Sequence, residues 1–306
     1  MVSVAILLCT LNGARFLPAQ LSSLARQRFR NWRLFVSDDG STDETLSIIS
    51  NYQREKGGAS VVVREGPRQG VVRNFLGLAC DACISADYFA YSDQDDIWEP
   101  DKLSRAIEWL QSIPPQIPAL FCSRVRLIDE HDRDCGLSPL FSLQPSFRNA
   151  LVQSIAGGNT MVFNNAARGL LAHCGHDIDV PLHDWWTYLL VTGAGGAVRY
   201  DPLPTIRYRA HSHNVVGANV GWRNRIRRLQ MLKAGDFKHW SALNIAALEQ
   251  FRSHMTPENR SLFDLFCEAR QRGFFGRQLG FLKAGVYRQT LLGNLGLAAA
   301  VWTKRI

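Results

Sequence analysis

Three carboxylates, Asp93, Asp95 and Asp96, crowd together at the start of the run Ser92-Asp-Gln-Asp-Asp-Ile-Trp-Glu-Pro-Asp-Lys-Leu, and they are the residues best placed to do chemistry. Asp93 and Asp95 are two apart, so they share one cation if the preceding strand has already broken into a turn. A hard divalent ion, Mg²⁺ or Mn²⁺, prefers one or two carboxylates completed by phosphate oxygens. An acidic surface turn that caps the next helix has the same spacing, and both readings stand at this point. A further carboxylate, Asp184, lies in Pro181-Leu-His-Asp-Trp-Trp. It is either a helix N-cap or a carboxylate in a partly apolar wall, which keeps a general base competent. His211 and His213 are also two apart, and in an extended segment only one faces inward.

These groups need elements to hold them. Val2 to Thr10 is a near-continuous apolar run, as expected of a parallel strand covered on both faces. Leu11-Asn12-Gly13 turns, and Phe16, Leu17, Leu21 and Leu24 recur at helical spacing. Trp32 to Ser37 reads as a second strand, and Asp38-Asp-Gly-Ser-Thr-Asp as a turn in which Ser41 or Thr42 caps the next helix. Ser60 to Arg64 is a third strand, followed by a Gly66–Gly70 loop and a helix through Phe75. Asp87 to Tyr91 is the fourth, and Pro100 opens a helical pattern to Leu110. Four strand–loop–helix units in 110 residues imply an α/β fold with a doubly wound, mostly parallel sheet. The loops after the strands would gather Thr10, Asn12, Asp39, Arg73, Asp93 and Asp95 on one rim, where open α/β sheets bind ligands. Beyond a proline-rich linker, 129–149 reads as a long loop. Gly157, Gly158 and Asn159 precede a strand from Thr160, and Trp185 and Trp186 either offer a flat face to a ligand or pack in the core, the core being the expected place of at least one.

Composition excludes several classes. The first turn has one glycine, not the three spaced glycines of a dinucleotide fold, and no Gly-rich run ends in Lys-Ser/Thr. No window approaches 18 continuous apolar residues, and no basic segment precedes the first apolar run, which therefore reads as a strand and not a signal peptide. Seven scattered cysteines suggest a reducing compartment. The net charge of +8 is uneven: 15 Lys/Arg against 5 Asp/Glu fall from Ala218 onward. Helical patterns there, at Trp222 onward, Phe274–Leu282 and Val286–Trp302, mix aromatic, leucine and basic residues. That mixture suits an anionic bilayer surface, and the absence of a nucleic-acid module argues against a nucleic-acid partner.

The chain resembles glycosyltransferase family 2, the inverting nucleotide-sugar transferases of GT-A fold. The resemblance rests on Cys9-Thr-Leu-Asn, Asp38-Asp-Gly-Ser-Thr-Asp and the Ser92–Leu103 run, in that order, each after an expected strand, and it covers about residues 1–217. It implies a GT-A domain with a donor half at 1–110 and an acceptor half at 111–217, in which residues 129–160, with Gly158 and Asn159, shape the acceptor side and Trp185 and Trp186 could meet a sugar face or a lipid headgroup; the basic helical extension at 218–306, read from its composition, exceeds the shared core. Residue by residue, it implies that Asp39 reads a pyrimidine edge, that Thr10 and Asn12 line the nucleotide pocket, and that Arg73 lies near the diphosphate. Asp93 would approach ribose and metal, Asp95 would hold the metal, Asp184 would be the base, and His211 (in preference to His213) would reach the metal or diphosphate. The extended third motif and Tyr208-Arg-Ala-His-Ser-His-Asn-Val-Val-Gly are most similar to the branch containing bacterial rhamnosyltransferases of cell-surface polysaccharide assembly. The implied partners are a dTDP- or UDP-linked sugar and a saccharide acceptor, polyprenyl-diphosphate-linked, at the cytoplasmic face of the inner membrane. The Gln-X-X-Arg-Trp motif of processive membrane synthases is absent, which argues for transfer of one sugar or a few. A nucleotidyltransferase and a non-catalytic scaffold are the rival readings; the first lacks the basic, Gly-rich loop that holds a triphosphate.

Overall fold

Period-two alternation in one buried strand sets the architecture. In β1 (Val4–Thr10) every residue is buried. Val4, Ile6 and Leu8 enter one core with Leu17, Leu21 and Leu24 of α1 (Leu17–Ala25). Ala5, Leu7 and Cys9 enter a second core on the opposite face. A strand packed on both faces has no solvent side, which is why its sequence is continuously apolar.

The computed structural model describes residues 1–56, 60–210 and 236–306. After β1 and α1 come β2 (Trp32–Asp38), α2 (Thr45–Glu55), β3 (Val61–Glu65), α3 (Val71–Cys80), β4 (Tyr88–Ser92), β5 (Ile97–Trp98) and α4 (Lys102–Gln111). The middle of the chain holds β6 (Ala119–Ser123), β7 (Arg126–Ile128), β8 (Asp134–Leu137), α5 (Phe147–Ala150), β9 (Val162–Asn164), α6 (Asn165–Cys174), α7 (His183–Gly193), β10 (Ala197–Asp201) and β11 (Ile206–Arg209). Four further helices follow: α8 (Asp236–Phe251), α9 (Pro257–Gln271), α10 (Phe274–Ala284) and α11 (Leu291–Trp302). The main sheet has the order β10-β6-β9-β4-β1-β2-β3. Strands β1 to β4 pair in parallel, and β9 runs antiparallel between β4 and β6. The α/β fold with a mostly parallel sheet expected from the sequence is therefore present. A small second sheet, β5-β11-β7-β8, closes over one end.

Register fixes the rim. Thr10 pairs opposite Asp38 and Leu8 opposite Ser92, so the loops after β1 and β2 leave the sheet at one level and the loop after β4 two residues earlier, on the same edge. Strand order reverses between β1 and β4, and the crevice at such a reversal is where open α/β sheets take ligands.

Three expectations are corrected. Residues 129–149 are not one loop: the Asp129 carboxylate accepts the N–H groups of His131 and Arg133 and turns the chain into the β7–β8 hairpin. All four residues of β8 are exposed, so no apolar alternation betrays it. Neither Ser41 nor Thr42 caps α2. Ser41 Oγ donates to Asp38, the Thr42 N–H donates to Asn12, and Asp43 accepts the Thr45 N–H. The last helix begins at Leu291, capped by Thr290, because Tyr287 and Gln289 bond instead to Ser146 and to Leu143 and Gln153. The C-terminal helical region expected from the sequence is present, and Phe251 of α8, Phe263 and Phe266 of α9, Phe281 of α10 and Val301 of α11 share one core with Leu7 and Trp186. The helices from 236 onward are thus built into the core. The basic segment at Trp222–Lys233 lies outside the described residues.

Candidate functional site

The first loop is stapled to both neighbours. Thr10 Oγ1 donates to Asp38 at 2.7 Å, and Asp38 also accepts the Gly40 and Ser41 N–H groups and the Ser41 hydroxyl. Burial alone would raise the Asp38 pKa, but the bonds from Ser41, Thr10 and Gly40 hold it below the usual carboxylate range. Asp39, buried, accepts the N–H groups of Arg68 (2.6 Å) and Gly70 (2.8 Å), and so holds the loop after β3. Asn12, in the left-handed region at φ 49°, accepts from Thr42. On the other side the Gln94 amide accepts the Leu11 N–H and donates to the Leu11 carbonyl, both at 2.9 Å. A Cβ on Gly13 would stand 2.1 Å from Gln94 Oε1, so a larger residue there would push the Gln94 side chain off Leu11. Arg73 is turned away from the acidic turn. It donates to the His176 carbonyl and, with Ser37, Gly66 and Asn74, lines an open cavity of about 460 Å³.

The acidic turn follows β4 directly. Asp93, Asp95 and Asp96 each offer an oxygen, and these atoms all lie within 4.8 Å of one another. Asp93 and Asp95 are partly open; Asp96 is fully buried. The Asn159 side-chain amide and the Arg209 N–H donate to Asp96, and Arg209 Nε donates to the Asp95 carbonyl. Burial, with Asp95 beside it, pushes the Asp96 carboxyl up to about 7. Burial and the charges of Asp96, Asp95 and Asp184 raise Asp93 as well. The one ammonium among them is Lys102, whose side chain is fully buried over the Trp98 ring (3.4 Å to the centroid) and donates to the Asn159 carbonyl. Burial lowers its pKa, and Asp96 and Asp93 offset part of that. An all-oxygen set on a turn, crowded by like charge, fits a hard divalent cation, and Asp93 and Asp95 are the members open to hold one.

Asp184 faces this cluster closely enough for its charge to raise Asp93. It is not the N-cap of α7. Leu182 occupies that position, and the Asp184 carboxylate accepts the N–H groups of Gly158 (3.0 Å) and Trp185. Burial pushes it up to about 6 despite these bonds. Gly158 lies so near that a Cβ there would stand 2.4 Å from His183 Nε2. Asn159, expected to face an acceptor, is instead buried against Asp96. Trp185 and Trp186 do not offer a stacking face: both are buried, Trp185 donating to the Ala150 carbonyl and Trp186 packing edge-on to Phe251. The positions after Asp184 on this buried helix point into the core. His211 and His213 lie outside the described residues.

Two contributors went unnoticed in the sequence, Lys102 and Arg209. Lys102 reads as an ordinary helix-start lysine. Arg209 is 2% exposed and stacks over Phe16 (4.5 Å) while donating to Asp95, Asp129 and Asp132. The signal available for it was the Tyr208-Arg-Ala-His run, read for its histidines and its family likeness but not for the arginine.

Comparisons with known proteins agree with this architecture. The chain is 26% identical over 318 residues to the dTDP-rhamnosyl transferase RfbG of Shigella flexneri, spanning 97% of this chain and 94% of that protein. It is 32% identical over 110 residues to a PGL/p-HBAD biosynthesis glycosyltransferase of Mycobacterium bovis, there spanning 36% of this chain and 42% of the relative. Among solved structures, TarS 1-349 of S. aureus superposes with a TM-score of 0.55 at 14% identity, over 92% of this chain and 89% of that one. The mannosyltransferase PcManGT of Pyrobaculum calidifontis, solved with GDP-Man and Mn²⁺, superposes with a TM-score of 0.53 at 17% identity, over 99% and 85%. These structural likenesses speak to the fold. The family described as Glycosyl transferase family 2 matches residues 5–169, more than half of the 306. The chain therefore belongs to glycosyl transferase family 2 and is a glycosyltransferase of GT-A fold.

Proposed function

We propose that this enzyme transfers a sugar, with inversion, from a dTDP- or UDP-linked donor to a hydroxyl of a saccharide acceptor, using Mg²⁺ or Mn²⁺. The observation that supports the reading best is the link between the Asp93–Asp95–Asp96 cluster and Asp184 through two consecutive residues, Asn159 donating to Asp96 and Gly158 to Asp184, beside the strand-order reversal of the sheet. Rhamnose is the proposed sugar, supported by the full-length similarity to RfbG, and bacterial cell-surface polysaccharide (O-antigen or capsule) the proposed product. A polyprenyl-diphosphate-linked saccharide at the cytoplasmic face of the inner membrane is the proposed acceptor, with 218–306 associating with that surface.

Asp95 and Asp93 would hold the cation, which when bound supplies positive charge to the leaving diphosphate. Asp184 accepts the proton of the acceptor hydroxyl as that oxygen attacks C1. The C1–O bond to the diphosphate breaks, and its electron pair leaves with the nucleotide. One displacement inverts C1, so no enzyme nucleophile is needed. The N–H groups of Gly158 and Trp185 fix the Asp184 carboxylate, and its dry surroundings keep it basic enough to take the proton. Thr10, Asn12 and Asp39 would border the nucleotide, and His211 would add a donor at the diphosphate. Arg73 reaches the nucleotide in this reading only through the cavity it lines.

Thermal melts against UDP, dTDP, GDP, CMP, ADP and NAD, with and without Mn²⁺, test the assignment. A rise with UDP or dTDP that requires Mn²⁺ is expected, of about 2.7 kcal/mol at a hundredfold excess over Kd. No response to any diphosphate would sink it and favour a non-catalytic scaffold.

A further inference from the structure

Helices α10 and α11 are apolar on two sides, and the fold uses one. On α10, Gly280, Phe281 and Ala284 are buried, with Phe281 against Phe266 (5.4 Å between centroids). Half a turn away Phe275, Leu279 and Leu282, at i, i+4 and i+7, are 84%, 52% and 78% exposed. The pattern repeats on α11. Leu297, Ala300 and Val301 are buried, whereas Leu291, Leu295 and Trp302, at i, i+4 and i+11, are 77%, 59% and 65% exposed. A helix that is apolar all round belongs in a core or against lipid. The outward faces form one patch: the Phe274 ring lies 5.2 Å from Phe275 and 6.3 Å from Trp302, and buried Arg277 on α10 donates to the Val301 carbonyl on α11. Large apolar side chains gathered this way mark a contact surface.

Charge selects the partner. Residues 271–306 hold six Lys/Arg and no Asp/Glu. Lys283 stands exposed beside the outward face of α10, and Lys304 exposed just past α11. A second copy of this chain would set the same positive charges opposite one another across a two-fold interface, whereas an anionic bilayer answers both the apolar face and the charge. Among the described residues no helix is long and apolar enough to cross a membrane, so contact is in the plane of the surface. We infer that the outward face of α10 and α11 is the membrane-docking surface of this enzyme. Phe275, Leu282, Leu295 and Trp302 enter the boundary between headgroups and acyl chains, and Lys283 and Lys304 meet anionic headgroups. This deepens the membrane-associating reading of 218–306, on which it rests, and names the residues that make the contact.

The test is vesicle flotation of the full chain, with phosphatidylcholine vesicles with and without phosphatidylglycerol. The native chain should float with the anionic vesicles, and added salt should reduce the bound fraction. The variant F275S/L282S/L295S/W302S changes only side chains that are more than half exposed, so its melting temperature should hold while vesicle partition falls roughly a hundredfold. K283E/K304E should lose at least about tenfold, on anionic vesicles alone. If the native chain floats and the quadruple variant floats equally well, the face is wrong and the membrane reading survives. If the native chain does not float, both fall. If the native chain instead self-associates in sedimentation and the quadruple variant does not, the face joins protein copies and the inference is overturned.

Discussion

Two acidic turns leave the strands on either side of β1 at the same rim and end in opposite electrostatic states. At the end of β2, the Asp38 carboxylate accepts from Thr10, Gly40 and twice from Ser41, and Asp39 accepts from Arg68 and Gly70. Their negative charge is met by donors of the chain itself, and Asp38 is held below its ordinary range. At the end of β4, three carboxylates within 4.8 Å repel one another in a dry setting, and Asp93 and Asp96 are pushed up. The contrast separates scaffold from site. A carboxylate met by backbone N–H groups holds loops together, while carboxylates crowded beyond their donors leave a charge deficit for a cation to fill.

That contrast can be broken by substitution. Asp184→Asn should lower turnover by about 10²–10⁴-fold in single-turnover assays while nucleotide binding persists; near-native turnover would remove Asp184 as the base. Asp95→Ala should abolish Mn²⁺-dependent nucleoside diphosphate binding in titration calorimetry, without loss of folding. Asp38→Ala should do the reverse, lowering stability by about 1–3 kcal/mol in denaturant melts and leaving Mn²⁺ affinity within about twofold. If Asp38→Ala and Asp95→Ala proved interchangeable, the distinction would fail. The smallest effect is in pH. The Asp184 base works deprotonated, so the rate should be full above about 6 and fall below it, with no such limb in the residual activity of Asp184→Asn. The Asp38 contribution to stability has the matching sign for a depressed pKa: present above the unfolded carboxylate value near 4, and lost as pH falls through its lower folded value.

Much of this was legible in the chain, for physical reasons. Alternating and continuous apolar runs reported β1 to β4, because a strand covered on both faces has no freedom to be polar. The acidic turn was legible because three close carboxylates are costly without a use. The β8 strand was hidden because it is wholly exposed. Lys102 was hidden because a lysine at the start of a helix is normally solvated, and the Trp98 ring and the Asn159 carbonyl that enclose it come from elsewhere in the chain. Trp185 and Trp186 misled because aromatic residues beside a candidate base fit a sugar platform as well as a core, and only packing against Ala150 and Phe251 decides. Apolar and basic residues at helical spacing in the C-terminal part suggested amphipathic helices, but the count of apolar residues could not reveal that α10 and α11 would have a buried apolar side and an outer one as well.

Gln94 does for two loops what a neighbouring strand does for a backbone, giving and receiving one bond with Leu11 in a single rung. The rung depends on one nitrogen atom. Deamidation to glutamate would keep the bond from the Leu11 N–H, set an oxygen against the Leu11 carbonyl, and put a fourth negative charge into a turn already short of positive ones. A chemical change of ageing, invisible to the fold's core, would thus fall on the hinge between the first loop and the acidic turn.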